Sequence, residues 1–354
     1  MENYTHGGDR YGREIELDYS VNINPLGMPK ESLQAAKEGV LLSDRYPDPL
    51  CRDLISEIRA FEGVTDQTEI LTGNGAAELI YALCSAVPEG KALLLAPSFQ
   101  EYENALVAAG HSCDFIYLKE EENFALPFQK LFSRITEEIS LVFLCNPCNP
   151  TGTVTGKEEL VKLAEKCEET GTFLCVDECF LLFLSEEPVL TMKKETERFS
   201  HLIVLRAFTK VYGMPGLRLG YLLTGNRKLA EHLKEKLPPW NVSLPAQLAG
   251  IAALRAEGYL EKTRELIRGE KEKLVAVLLE TVADRVYPGS ANFLLFHGRE
   301  GLKEELLARK ILIRDCSNFR GLMKGYYRIC VRTQEENERL KEALDSLTGK
   351  EMGK

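Results

Sequence analysis

Short apolar runs recur along the chain, separated by stretches whose apolar positions repeat with a helical period. Residues 92–96, 113–117, 140–145, 173–176, 202–206 and 219–223 read as strands, and residues 51–61, 100–109 and 156–168 as helices. The strands are continuously apolar rather than alternating, which predicts an α/β unit with a mostly parallel sheet covered on both faces. From about Pro245 the pattern changes. A long helical stretch over 245–281, broken near Gly258, precedes strands at 293–296, 311–314 and 326–332 and a closing helix at 334–346. That predicts a smaller α+β domain. The first forty residues are polar and loop-rich, with a turn cluster from Asn22 to Gly27, and predict an arm packed on another surface or on a partner subunit. Arg45-Tyr46-Pro47-Asp48-Pro49 forms a second rigid turn. The expected division is an arm with part of the smaller domain at 1–40, a large domain at 41–245 and a small domain at 246–354.

A chain of 354 residues is long enough for two domains. A net charge of −10 argues against nucleic acid or an anionic membrane as the main partner, but a local site can still take an anionic small molecule. No apolar run is long enough to span a membrane, and the polar start shows no signal peptide, so a cytoplasmic protein is expected. Ten cysteines are scattered through apolar segments, the usage of a reduced compartment. Cys145 and Cys148 form a C-x-x-C, with Cys175 and Cys179 further on. The second pair has the wrong spacing for a metal site, so these read as buried small hydrophobes and no metal is expected.

The chemistry gathers at strand ends. In a parallel sheet ligands sit at the carboxyl ends of strands. Asn149, Asp177 and Lys210 each lie at or just beyond such an end. A lysine just after a buried strand can be desolvated, which favours the free amine that condenses with an aldehyde. Arg218 and Thr209 nearby suit a phosphate. The strand-to-helix passage at 70–78 brings Gly75 and Ala76 to a helix N-terminus, where free N–H groups can meet an anion.

The ordered set Asn146-Pro147-Cys148-Asn149-Pro150-Thr151-Gly152, Asp177-Glu178-Cys179-Phe180, Thr209-Lys210 and Arg218 resembles the class I/II aminotransferases, fold-type I enzymes that use pyridoxal 5'-phosphate. The resemblance covers nearly the whole chain. It implies a seven-stranded, mostly parallel sheet and a homodimer with shared active sites. It also implies that Lys210 carries the cofactor as a Schiff base and that Asp177 pairs with the pyridine nitrogen. Asn149 would bond the phenolic oxygen, and Phe99 (or else Tyr102) would stack on the ring. Gly75, Ala76, Thr209 and Arg218 would hold the phosphate, and Tyr46 would reach the phosphate in the other subunit. Two positions depart from the family pattern: Phe180 replaces a tyrosine, and Ala207 replaces a phosphate-binding serine or threonine.

Within the family the chain most resembles the threonine-O-3-phosphate decarboxylases of cobalamin biosynthesis, relatives of the histidinol-phosphate aminotransferases. The residues that carry this are His6-Gly7-Gly8, Asn22-Ile23-Asn24-Pro25, Arg45-Tyr46-Pro47, Phe180, the run from Ile311 to Asn318, and Arg328 with Arg332. The resemblance implies that His6, Asn24, Arg314, Arg328 and Arg332 bind a phosphorylated amino acid. Arg328 and Arg332 are an even number of residues apart on the expected strand, so they would share a face. Cations that clamp the phosphate can turn the substrate and lift its carboxylate out of the ring plane, the geometry for loss of CO2. Serine phosphate is an alternative substrate, and histidinol-phosphate transamination an alternative activity.

Overall fold

The computed structural model describes residues 6–349; residues 1–5 of the expected arm lie outside this range. Seven strands form the larger sheet in the spatial order Glu69–Gly73, Gly220–Thr224, Leu202–Ala207, Phe173–Asp177, Ile139–Cys145, Lys91–Ala96, Ser112–Tyr117. Gly220–Thr224 runs antiparallel to both its neighbours, and the remaining pairs are parallel. The central strands are buried along nearly their whole length, as their unbroken apolar character requires. Ile139–Cys145, Phe173–Asp177 and Leu202–Ala207 are direct neighbours. Their register pairs Cys145 with Asp177 and Asp177 with Leu205, so their carboxyl ends lie level.

A buried ion network fixes those ends. Arg206, 1 % exposed, donates to Glu62 at 3.1 Å, to Glu178 at 2.7 Å and to Glu187 at 2.7 Å. Lys193 completes the set at 2.9 Å from Glu62. Glu178 follows Asp177 in the chain, and Arg206 lies near the end of the strand that leads into the Lys210 helix. Removing one member of such a network strands a charge without water, at a cost of about 3–5 kcal/mol.

A four-stranded antiparallel sheet follows the order Arg314–Asp315, Tyr326–Cys330, Phe293–Gly298, Ala283–Val286. The helical stretch expected over 245–281 is two helices, Leu244–Leu254 and Tyr259–Thr281, divided at Gly258 with φ of 67°. Strand 311–314 is divided too. Ile311–Leu312 pairs in parallel with Leu17–Asp18, and Arg314–Asp315 joins the four-stranded sheet.

Two expectations are corrected. The first forty residues are not all loop, because Lys30–Leu41 is a helix. Its buried face is Ser32, Ala36 and Gly39, and a Cβ on Gly39 would lie 2.6 Å from Pro245 Cα. Close approach to Leu244–Leu254 thus selects small residues, and a small-residue stripe leaves no apolar periodicity to read. Second, the strand expected over 326–332 ends at Cys330. Thr333 and Glu336 form a capping box that starts helix Gln334–Thr348, so the backbone leaves the sheet before Arg332.

Candidate active site

A cavity of about 380 Å³ opens at the carboxyl ends of the three central strands. Asn149, Asp177, Thr209, Lys210 and Arg218 line it, as do Ala76, Phe99 and Phe180. Asp177 is 4 % exposed. Its Oδ1 accepts from the Cys179 N–H at 2.9 Å and its Oδ2 from the Tyr102 hydroxyl at 2.5 Å. Burial pushes its carboxyl up from the ordinary range, against the pull of these hydrogen bonds and of Lys210. Tyr102 is thereby committed to Asp177, with its ring stacked on Phe143 at 4.6 Å, while Phe99 stands edge-on to it at the cavity wall.

Lys210 sits in the short helix Phe208–Val211 that ends strand Leu202–Ala207. Burial lowers its ammonium to about 8, and the positive charges of Arg328 and Arg218 act in the same direction. The free amine therefore forms at a lower pH than in an ordinary lysine. At the other end of the cavity floor helix Gly75–Ala86 begins. Gly75 has φ of 78°, and a Cβ there would meet Arg218 Nη2 at 2.6 Å. A Cβ on Gly220 would lie 2.7 Å from the Ala76 nitrogen. These two glycines let a helix N-terminus, Arg218 and Thr209 close on one small volume, a cradle for an anion. Ala207 borders the cavity with no hydroxyl to add.

A second wall is cationic. Arg328 is 6 % exposed and donates through Nη1 to Asn149 Oδ1 and through Nη2 to the Ser20 carbonyl at 2.9 Å. Its buried Nε has no acceptor among the described residues. Arg314 donates through Nη2 to Asn318 at 2.6 Å, with its guanidinium 5.0 Å from the Phe319 ring. Burial lowers both guanidinium groups, Arg328 to about 10. His6 joins this wall from the arm.

Asn24 and Arg332, expected in this site, lie outside its lining, whereas Tyr46 is expected at the partner's cofactor rather than here. Asn24 donates to the Val211 carbonyl at 2.7 Å and to Thr263 Oγ1 at 2.8 Å, and its backbone N–H donates to the Lys210 carbonyl at 3.0 Å. It supports the Lys210 segment from behind. Arg332 pairs with Glu336 on the helix that follows, away from the cavity and off the face of Arg328. Tyr46 is 79 % exposed and packs with its ring tilted against Trp240 at 4.7 Å, outside this chain's own cavity. Cys145 and Cys148 donate to the Pro147 and Pro97 carbonyls, and burial raises both thiols. Ser20 and Glu101 line the cavity without a signal in sequence beyond their neighbourhood to the motif residues.

Comparison with known proteins gives the family. The family model for aminotransferase class I and II matches residues 14–344. The chain belongs to the class I and II aminotransferase family. The threonine-phosphate decarboxylase of Salmonella typhimurium is 35% identical, with 94% of this chain and 92% of that protein covered. A protein of Caldanaerobacter subterraneus subsp. tengcongensis, provisionally named for the same activity, is 39% identical over 98% of this chain and 95% of its own length. Among solved structures, the histidinol-phosphate aminotransferase of Clostridium acetobutylicum superposes with a TM-score of 0.88 at 32% identity, covering 95% of this chain and all of that one. The L-threonine-O-3-phosphate decarboxylase of Porphyromonas gingivalis superposes with a TM-score of 0.82 at 25% identity, covering 94% and 99%.

As a class I and II aminotransferase homologue of fold type I, the protein uses pyridoxal 5'-phosphate, and the donor set fits it. A buried carboxylate, a low-pKa amine and an anion cradle occupy three sides of one cavity. Asp177 would hold the pyridine nitrogen, Lys210 the aldehyde carbon, and Ala76, Thr209 and Arg218 the phosphate. Only the free amine adds to an aldehyde, and Lys210 loses its proton as pH rises. Uptake of pyridoxal phosphate by the apoenzyme should therefore quicken with pH up to about 8 and then level off. Stopped-flow absorbance checks this; a rate still climbing about tenfold per unit above a pH of roughly 9 would contradict the assignment.

Proposed function

We propose that the protein decarboxylates L-threonine O-3-phosphate to (R)-1-amino-2-propanol O-2-phosphate and CO2, a step of cobalamin biosynthesis. The observation that carries this reading is the second cationic wall. Arg218 and the helix N-terminus suffice for the cofactor's phosphate, yet Arg314, Arg328 and His6 line the same cavity. A substrate with a phosphate as well as a carboxylate accounts for the two extra arginines and the imidazole beside them. The sequence likeness to threonine-phosphate decarboxylases over nearly the full length supports the same conclusion.

Pyridoxal phosphate, when bound, supplies an electron sink conjugated to the substrate's α-carbon. The residues decide which bond is broken. Arg328 and Arg314 grip an anionic end of the substrate and set its rotation about the α-carbon. Asp177 would keep negative charge beside the pyridine nitrogen, and Tyr102 and Cys179 hold that carboxylate in place. Phe180 presents an apolar ring, packed edge-on to Phe293 at 5.2 Å, where a tyrosine would offer a hydroxyl. Lys210 would take the proton that the substrate's ammonium group gives up and deliver it to the α-carbon in place of the departing carboxylate.

Serine phosphate lacks one methyl group, and a pocket separates such a pair by only about 1–3 kcal/mol. Histidinol-phosphate transamination is the second reading, favoured by the likeness to the Clostridium structure. We also propose the domain division 1–40, 41–245 and 246–354, a cytoplasmic location and a homodimer in which Tyr46 reaches the partner's cofactor phosphate. The exposed Tyr46, Trp240, Leu50 and Leu41 support the dimer.

Holoenzyme given threonine phosphate should release CO2 and the amino alcohol phosphate, with no stimulation by 2-oxoglutarate; an oxo acid without CO2 would overturn the reading. Arg328→Ala should lower kcat/KM about 30-fold, the loss of a charge-assisted contact near 2 kcal/mol. Light scattering should give twice the chain mass, and a monomer at assay concentrations would remove the shared-site proposal.

A further inference from the structure

Glu101 runs against the charge pattern around it. It lines the same cavity as Lys210, Arg314 and Arg328, and so sets a carboxylate beside space that would take anionic groups. It opens helix Glu101–Ala108. Its Oε1 lies 2.9 Å from His6 Nε2 and accepts from Asn104 Nδ2 at 2.9 Å; its Oε2 accepts from the Tyr81 hydroxyl at 3.0 Å. Two groups of the surrounding helices thus hold the carboxylate still, and the third contact is the arm.

The arm is held on its other side as well. The Gly8 N–H donates to Ser20 Oγ at 2.7 Å. A Cβ on Gly7 would collide with the Ser20 carbonyl oxygen, so no larger residue fits there. That same carbonyl accepts from Arg328 Nη2. His6-Gly7-Gly8 therefore spans from Glu101 to the backbone that orients Arg328. A carboxylate that accepts from one imidazole nitrogen fixes the ring's orientation and turns the other nitrogen away from it.

We infer that Glu101 is a positioning residue that clasps the N-terminal arm and sets His6 against the phosphate of the substrate. The inference rests on reading the cavity as a site for a phosphorylated amino acid. The carboxylate does not touch the substrate; His6 stands between them and occupies its Oε1. The arrangement predicts a binding defect rather than a chemical one when the clasp is removed.

The test compares wild type, Glu101→Gln, Glu101→Ala, His6→Ala and the double variant as holoenzymes. With threonine phosphate, Glu101→Ala should raise KM about tenfold while kcat stays within about twofold and the cofactor absorbance is unchanged. Glu101→Gln, which keeps an acceptor oxygen, should recover most of the loss. The double variant should be no worse than His6→Ala alone. A second readout needs no turnover. Arg10 and Arg13 are exposed trypsin sites in the arm. Glu101→Ala should be cut there faster than wild type, and inorganic phosphate should slow cleavage of wild type but not of the variant. An unchanged or lowered KM, a loss confined to kcat, or equal cleavage rates would overturn the inference. If wild type releases no CO2, the proposed function falls by itself, and the cleavage rates still decide whether Glu101 holds the arm.

Discussion

The site depends on one constraint: strands Phe173–Asp177 and Leu202–Ala207 must end level with each other. The buried contact of Arg206 with Glu178, Glu62 and Glu187 enforces this. A register slip by one residue would turn these charges to the wrong face and strand them without water. Such a network adds little net stability over an apolar core, but it penalises every other register. Asp177 and Lys210 emerge on the cavity side of the strands that it ties together. The catalytic geometry is thus set by charges that never meet a ligand.

Above that base the cavity has two walls of different chemistry. The cofactor wall combines a buried carboxylate, a desolvated amine and an anion cradle that two glycines make compact. The substrate wall is made of two buried arginines and the arm. The cations also act on Lys210, since Arg328 and Arg218 add to the lowering that burial produces. The wall that would bind the substrate therefore also lowers the pH at which the amine loses its proton. A chain with a net charge of −10 concentrates its functional cations inside one cleft.

The cofactor wall is legible in sequence. Asn149, Asp177 and Lys210 follow apolar strands, and the carboxyl end of a parallel strand is where ligands sit. The seven-stranded sheet is legible for the same reason, since unbroken apolar runs have few other uses. Helix Lys30–Leu41 is hidden because its buried face is small rather than apolar. Arg332 is misplaced when the strand is extended through the helix cap at Thr333. Asn24 lies in the right motif but faces Val211 and Thr263, a direction that spacing cannot give. The bonds of Tyr102 to Asp177 and of Glu101 to His6 leave no trace in sequence, because they are contacts across 75 and 95 residues of chain.

The arrangement of the two walls sets the substrate's carboxylate, not its α-hydrogen, for departure. Turnover of threonine phosphate in heavy water tests it directly, with mass spectrometry of both product and recovered substrate. One deuterium is expected at the carbon that bore the carboxylate, and none in recovered substrate. Recovered substrate deuterated at its α-carbon, with no deuterated amine formed, would contradict departure of the carboxylate.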